Sequence, residues 1–222
     1  MLSDRLFYGR RVGKGFSPAA AKSLRDQADD FCFSDPRDLL IEPYTDRFLE
    51  IGFGNGDHLL AQAAAHPSTL CVGVDAYQSG FTLALRQAHE NMIRNLRLAN
   101  ADVGSLLGDF PEAFFDKIFI LFPDPWPKTR HHKRRLVSEH FLTNLKCVLK
   151  PSGFLVLATD DGGYAEQMRN AVENTLSGQW LTPDPLMVTT SYQQKAHNAG
   201  RAITVMKRQF LGSNDSLTFA VG

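Results

Sequence analysis

Between Arg47 and Leu176 short apolar runs alternate with longer segments of helical spacing, and no other feature of the chain constrains its fold as strongly. Arg47–Phe53, Thr69–Val74, Leu96–Ala101, Lys117–Phe122 and Phe154–Ala158 read as strands. Asp57–Ala65, Phe81–Met92, Arg135–Leu149 and Tyr164–Leu176 read as helices, with a short helical turn at Gly104–Leu107. Strands this continuously apolar are covered on both faces, and strands separated by helices run parallel. The pattern therefore predicts an α/β fold with helices on both faces of a mostly parallel sheet. Met187–Thr190 and Arg201–Phe210 break the alternation and read as an antiparallel hairpin at the sheet edge. A chain of 222 residues suits one such domain, placed at 46–222. Residues 1–45 read as a basic N-terminal arm and helix, partly mobile where Gly9, Gly13 and Gly15 interrupt it.

Charge and cysteine usage remove several function classes. Lys plus Arg is 24 and Asp plus Glu is 24, so a polycation held to nucleic acid by its overall charge is excluded, and any basic surface must be local. Cys32, Cys71 and Cys147 are scattered and odd in number, which fits neither a disulfide framework nor a cysteine-ligated zinc and suits a reducing cytosol. His131 and His132 are adjacent and lack the spacing of a helical zinc pair, so no metal is expected. The longest apolar runs, Ile118–Phe122 and Phe154–Ala158, are far short of the roughly 20 residues of a membrane span.

The first strand runs through Glu50 into Gly52, Gly54 and Gly56. Glycines at a strand's carboxyl end let backbone approach a ligand closely, and open α/β sheets bind ligands there. The plainer reading is a tight strand-to-helix turn. A dinucleotide fingerprint needs glycine at position 57, where this chain has Asp57, and no phosphate-loop motif occurs. Carboxylates at Glu50 and Asp57 repel a pyrophosphate but suit a cationic ligand, which favours S-adenosylmethionine over NAD. Asp75 ends the second strand, 25 residues after Glu50, where an acid accepts hydrogen bonds from ribose hydroxyls. Asp102, after the third strand, can face an exocyclic amine such as adenine N6.

The fourth strand enters Phe122-Pro123-Asp124-Pro125-Trp126-Pro127. Three prolines stiffen this loop and hold Asp124 in place. Trp126 either packs the end of the sheet or offers a platform to a planar group. Lys128 to Arg135 then carries five Lys or Arg in eight residues, either a solvated helix start or a phosphate-binding patch. Asp160, after the fifth strand, either points into the cleft or caps the following helix.

The string FPDPWPKTRHHKRR, with LEIGFGNG upstream and ATDDGGYAEQM downstream, resembles the bacterial tRNA (guanine-N7)-methyltransferase family, from RRVGK near the start to TTSYQQKA near the end. The resemblance implies a Rossmann-like class I methyltransferase, a seven-stranded sheet with an antiparallel C-terminal edge hairpin. It implies transfer of a methyl group from S-adenosylmethionine to N7 of a guanosine in tRNA, at position 46 in the variable loop, by a cytoplasmic monomer or homodimer. Position by position, Glu50, Asp75 and Asp102 then contact the cofactor beside the loop glycines, and Asp124 is the active-site aspartate bordering it. Lys128 and Asp160 become substrate contacts, and Arg130 and Arg134 basic residues needed for activity. Arg11 and Lys14 fall on the family's RxGR arm, with lysine for the second arginine. Thr190 to Gln193 fall on its TxxE segment, with glutamine for glutamate, and Asp75 stands where glutamate is usual. Gln193 lacks the charge that would complement the guanine N1–H and N2 amine, so a paralogue acting on another guanine-bearing RNA is the neighbouring reading. A binding relative without transfer activity is a third, opposed by the joint presence of Glu50, Asp102 and Asp124.

Overall fold

The computed structural model describes residues 7–9, 11–13, 16–186 and 190–212. Seven strands form one sheet: β1 (Asp46–Ile51), β2 (Thr69–Val74), β3 (Leu96–Ala99), β4 (Phe115–Leu121), β5 (Leu149–Thr159), β6 (Gly178–Leu181) and β7 (Thr204–Phe210). Their order is β3-β2-β1-β4-β5-β7-β6, with β1 to β5 mutually parallel and β7 antiparallel to both β5 and β6. The helices are α1 (Pro18–Gln27), α2 (Asp57–Ala65), α3 (Gln78–Glu90), α4 (Glu139–Val148), α5 (Gly162–Thr175) and α6 (Ser191–Asn198).

Strand alternation divides the core. Leu49, Ile51, Val72, Ile118, Ile120, Leu155 and Leu157 face α4 and α5, packing on Phe141, Leu145, Met168 and Val172. On the other face Cys71, Leu96 and Leu98 meet Leu59 and Ala63 of α2 and Phe81, Ala84 and Leu85 of α3, with Phe31 closing that layer. The two-sided parallel sheet expected from the apolar runs is the one observed.

Three expectations need correction. Among the described residues β7 finds no partner strand at Thr190. Residues 187–189 lie outside the described residues, and Thr190 is the N-cap of α6. β7 pairs instead with Gly178–Leu181, a short run of Gly-Gln-Trp-Leu whose strand character comes from its neighbour, not its pattern. The antiparallel edge itself is as expected, but α6 stands in the connection between its two strands, where a loop was expected. The helix expected from Arg135 begins at Glu139, where the Ser138 side chain accepts from the Phe141 N–H. The basic run forms a separate 3₁₀ turn, Thr129–Arg134.

Candidate active site

The carboxyl ends of β1 to β4 open on one cleft of about 340 Å³. Its floor is the β1–α2 loop, where Gly52, Gly54 and Gly56 take φ values of 74°, 57° and 88°. These left-handed values favour glycine, and a Cβ at Gly56 would lie 2.7 Å from that of Ala84 on α3. Sequence reasoning missed Gly80, in the first turn of α3, where a Cβ would run into the carbonyl of Gly54. A glycine directly before a segment of helical spacing was the available signal, and the helix in fact starts two residues before that glycine, at Gln78.

Asp75, at the end of β2, is 6% exposed and accepts from the N–H groups of Tyr77 and Gly54, each at 2.7 Å. Burial pushes its pKa up to about 6; the two N–H groups pull the other way, and the charges of Glu50 and Asp124 add to the rise. Asp102 accepts from the N–H of Gly104 at 3.2 Å and from that of Phe7 at 2.8 Å, so the N-terminal arm reaches the cleft. Glu50 sits elsewhere. It lines a smaller cavity that shares Gly52, Leu121, Phe122 and Tyr192 with the main one. It is 3% exposed, with Oε2 2.8 Å from Nδ1 of His58 on α2. No residue spacing announces that histidine, because the loop glycines set the fold-back.

Asp124 opens onto the main cleft. Among the described residues no donor reaches its carboxylate, and burial among the cleft walls raises its pKa. Gly9 of the arm lies against it, since a Cβ there would stand 3.1 Å from Oδ2. The loop around it is strained at two non-glycine residues, Phe122 and Trp126, with φ of 52° and 43°. Several bonds hold that geometry. The Phe122 N–H donates to the Ala158 carbonyl at 2.8 Å. Arg135 donates from Nε to the Pro125 carbonyl at 2.8 Å and from Nη1 to Oε1 of Gln167 at 2.6 Å, with its guanidinium 4.7 Å from the centre of the Tyr164 ring. Arg135 is buried. It reads as a phosphate cation in the sequence and is a strut under the loop in the structure.

Along the rim Lys128 and Arg130 are exposed. Arg134 lines the cleft, its guanidinium 4.9 Å from the centre of the Trp126 ring and 5.8 Å from that of Tyr8. Tyr8 and His131 also meet Trp126 edge-on, so that indole belongs to a rim cluster rather than to the core. Arg11 is exposed, and its carbonyl accepts from the Gln78 N–H at 2.8 Å. Gly13 donates to Oγ of Ser79 at 2.7 Å, which sets the arm along the start of α3. Lys14 lies outside the described residues.

Asp160 is not the helix cap: Asp161 accepts from the Tyr164 N–H at 2.7 Å, and Asp160 pairs with Arg201 at 2.9 Å. Thr190 and Gln193 form a capping box. Oγ1 of Thr190 accepts from the Gln193 N–H at 3.2 Å, and Oε1 of Gln193 accepts from the Thr190 N–H at 2.8 Å. Thr190 borders the smaller cavity. Among the described residues Gly56, Glu50, Lys128, Arg130, Asp160, Thr190, Gln193 and Arg11 do not line the main cleft, whereas Gly52, Gly54, Asp75, Asp102, Asp124 and Arg134 do. Tyr192, which sequence reasoning passed over, lines both cavities. No group of three or more His, Cys, Asp or Glu suited to a metal is found among the described residues, nor a helix long and apolar enough to cross a membrane.

A glycine loop under a cleft, acids at successive strand ends and a cationic rim are the surroundings of a small ligand bound next to a larger anionic one. The family model described as "Putative methyltransferase" matches residues 45–206. The tRNA (guanine-N(7)-)-methyltransferase of Rhodospirillum rubrum is 35% identical, covering 89% of this chain and 85% of its own. That of Caulobacter sp. strain K31 is 43% identical, covering 72% of this chain and 74% of its own. Among solved structures, the 16S rRNA methyltransferase KamB superposes with a TM-score of 0.55 at 19% identity, over 91% of this chain and 99% of its own. The 16S rRNA (adenine(1408)-N(1))-methyltransferase of Catenulisporales acidiphilia gives 0.54 at 18% identity, over 81% and 95%. At such identities these two share the fold alone. The sequence relatives carry more: a chain a third or more identical to them over most of their length is a methyltransferase and belongs to the tRNA (guanine-N(7)-)-methyltransferase family.

Proposed function

We propose that the protein transfers a methyl group from S-adenosylmethionine to N7 of a guanosine in tRNA, in the variable loop, and so acts in the cytoplasm. The observation that carries this reading is Asp124, a carboxylate with no described donor that shares one cleft with Asp75 and Asp102 and lies inside the Arg134 rim.

The residues fit such a donor. Gly52 and Gly54 leave backbone open at the floor, and a buried carboxylate at Asp75 suits ribose hydroxyls, each charge-assisted bond contributing on the order of 1.5–3 kcal/mol. Asp102 would take an exocyclic amine, and Glu50, in the adjoining cavity, an amino group. When bound, the donor supplies an electrophilic methyl on a cationic sulfur. Guanine N7 carries a lone pair rather than a proton at neutral pH, so the chain supplies no general base. Its work is positioning and charge placement. Asp124 orients the base and stabilises the positive charge that grows on the purine ring. Lys128, Arg130, Arg134 and Arg11 of the arm hold phosphates around the mouth, and the Lys14 cation adds to phosphate binding. Because N7 lies in the deep groove of A-form RNA, the target base must be splayed out to enter.

Thr190 and Gln193 serve this reading by fixing the start of α6, which carries Tyr192 to the cleft, and Asp160, paired with Arg201, remains a candidate substrate contact. Gln193 gives its side-chain oxygen to the box that glutamate also closes, so glutamine at this position keeps the start of α6 in place. The test is direct: incubation with methyl-labelled donor and tRNA lacking 7-methylguanosine, then nuclease digestion. Label in 7-methylguanosine is the expected result; label in any other nucleoside, or none, overturns the proposal.

A further inference from the structure

The ring of Tyr192 stands 9° from parallel to the ring of Phe122, with centroids 6.4 Å apart, between the two cavities at the mouth of the site. We infer that these two rings form the slot for the purine ring of the methyl acceptor, with Tyr192 as its base-stacking residue. The inference rests on the proposed function, because that reading supplies a purine to be held.

The geometry has three parts. First, the spacing suits an intercalated plane. Stacked bases repeat at about 3.4 Å, so a planar ring held between two others needs faces about 7 Å apart; the rings are already nearly parallel with centroids 6.4 Å apart, and a turn of the exposed Tyr192 ring opens the gap for the base. Second, both rings are held where they are. Phe122 follows β4 in a left-handed backbone conformation, tied to Ala158, and stands two residues before Asp124. Tyr192 is the second residue of α6, whose start is fixed by the Thr190–Gln193 box and by the Ser191 N–H donating to Oδ2 of Asp57 at 3.3 Å. Tyr192 remains 45% exposed, so holding the ring in place does not come from burying it. Third, another aromatic at the mouth, Trp126, is engaged on more sides than Tyr192, whose described ring partners are Phe122 and Lys195, the latter 5.0 Å from its ring centre. Trp126 has Arg134 over its ring and the edges of Tyr8 and His131 against it.

A slot of parallel aromatic faces also answers the chemistry. Alkylation at N7 puts a positive charge on the purine, and aromatic faces attract a planar cation more strongly than its neutral parent. The slot then binds the developing product charge better than the reactant, which lowers the barrier rather than only KM. It also fits the open carboxylate of Asp124, which meets the ring in its plane while the aromatics meet its faces.

Two readouts test the inference. In single-turnover methyl transfer at saturating tRNA and donor, Tyr192→Leu is expected to slow the step tenfold or more, while Tyr192→Phe stays within threefold of wild type. In direct titration, 7-methylguanosine monophosphate is expected to bind wild type and Tyr192→Phe more tightly than guanosine monophosphate does. Tyr192→Leu is expected to lose that preference while its affinity for S-adenosylhomocysteine is unchanged. Full activity in Tyr192→Leu, equal losses in the Phe and Leu variants, or loss of cofactor affinity in the Leu variant would each overturn the slot. A wild-type protein that labels no guanosine overturns the proposed function instead, so the two failures are distinguishable.

Discussion

The floor of the cleft and its rim are built from opposite charges on opposite principles. On the floor, Asp75 and Asp102 are carboxylates pinned by backbone N–H groups. Their positions are set by the sheet, and no solvent rearrangement is needed to present them. On the rim, Lys128 and Arg130 extend into water and are positioned by little beyond a 3₁₀ turn. A small ligand recognised atom by atom needs the first arrangement, while a polyanion recognised by charge tolerates the second. Arg134 and Arg135 stand at the boundary. The first is fixed by aromatic faces at the cleft mouth, and the second is withdrawn entirely beneath the loop that carries Asp124.

Perturbing the floor should therefore be costly and specific, and perturbing the rim modest and salt-dependent. The largest effect is expected for Asp124→Ala: a fall in single-turnover rate of roughly 10²–10³, with donor affinity within a few-fold of wild type, measured by stopped labelled-transfer assays and calorimetry. An equal fall in both would mean that Asp124 holds the cofactor rather than the reacting base. Next comes Asp75→Ala, for which donor affinity is expected to drop about 10–100-fold by calorimetry, at unchanged tRNA affinity.

The same residue gives a pH signature. With its pKa near 6, above the roughly 3.9 of an unfolded aspartate, the native state holds the Asp75 proton more tightly than the unfolded chain does. Unfolding free energy of the ligand-free protein should then gain on the order of 2–3 kcal/mol from this group as pH falls from about 6 to about 4. Urea titrations should show that gain as a difference between wild type and Asp75→Asn, and parallel pH profiles for the two would remove it. The smallest effects belong to the rim. Lys128→Ala or Arg130→Ala should weaken tRNA binding less than tenfold near physiological salt and lower the salt slope by about one phosphate. An unchanged slope in both would place the polyanion elsewhere.

Residues with chemistry on strand ends were legible because the period of the strands fixes where a strand stops and which way its last residues face. Asp75, Asp102 and Asp124 follow three successive apolar runs, and all three line the cleft. What escaped was whatever depends on a partner far along the chain. Arg135 looks like one more cation of a basic run until Pro125, Gln167 and Tyr164 surround it. Gln193 escaped for a different reason: Thr190 and Gln193 stand at the local spacing of a capping box, and the base-contact reading hid it. Asp160 and Asp161 are indistinguishable in the sequence, yet one pairs with Arg201 and the other caps α5.

By itself the sequence determined the layered α/β architecture, the glycine loop and the line of acids along the strand ends. Each of these follows from local periodicity and from the conformations glycine and proline allow. Only the tertiary structure decided which strand β7 pairs with at the edge, which arginine is buried, that His58 stands beside Glu50, and that Tyr192 faces Phe122. Those outcomes rest on contacts between segments tens of residues apart, where side-chain packing and the geometry of the intervening loops select the partner and residue type alone does not.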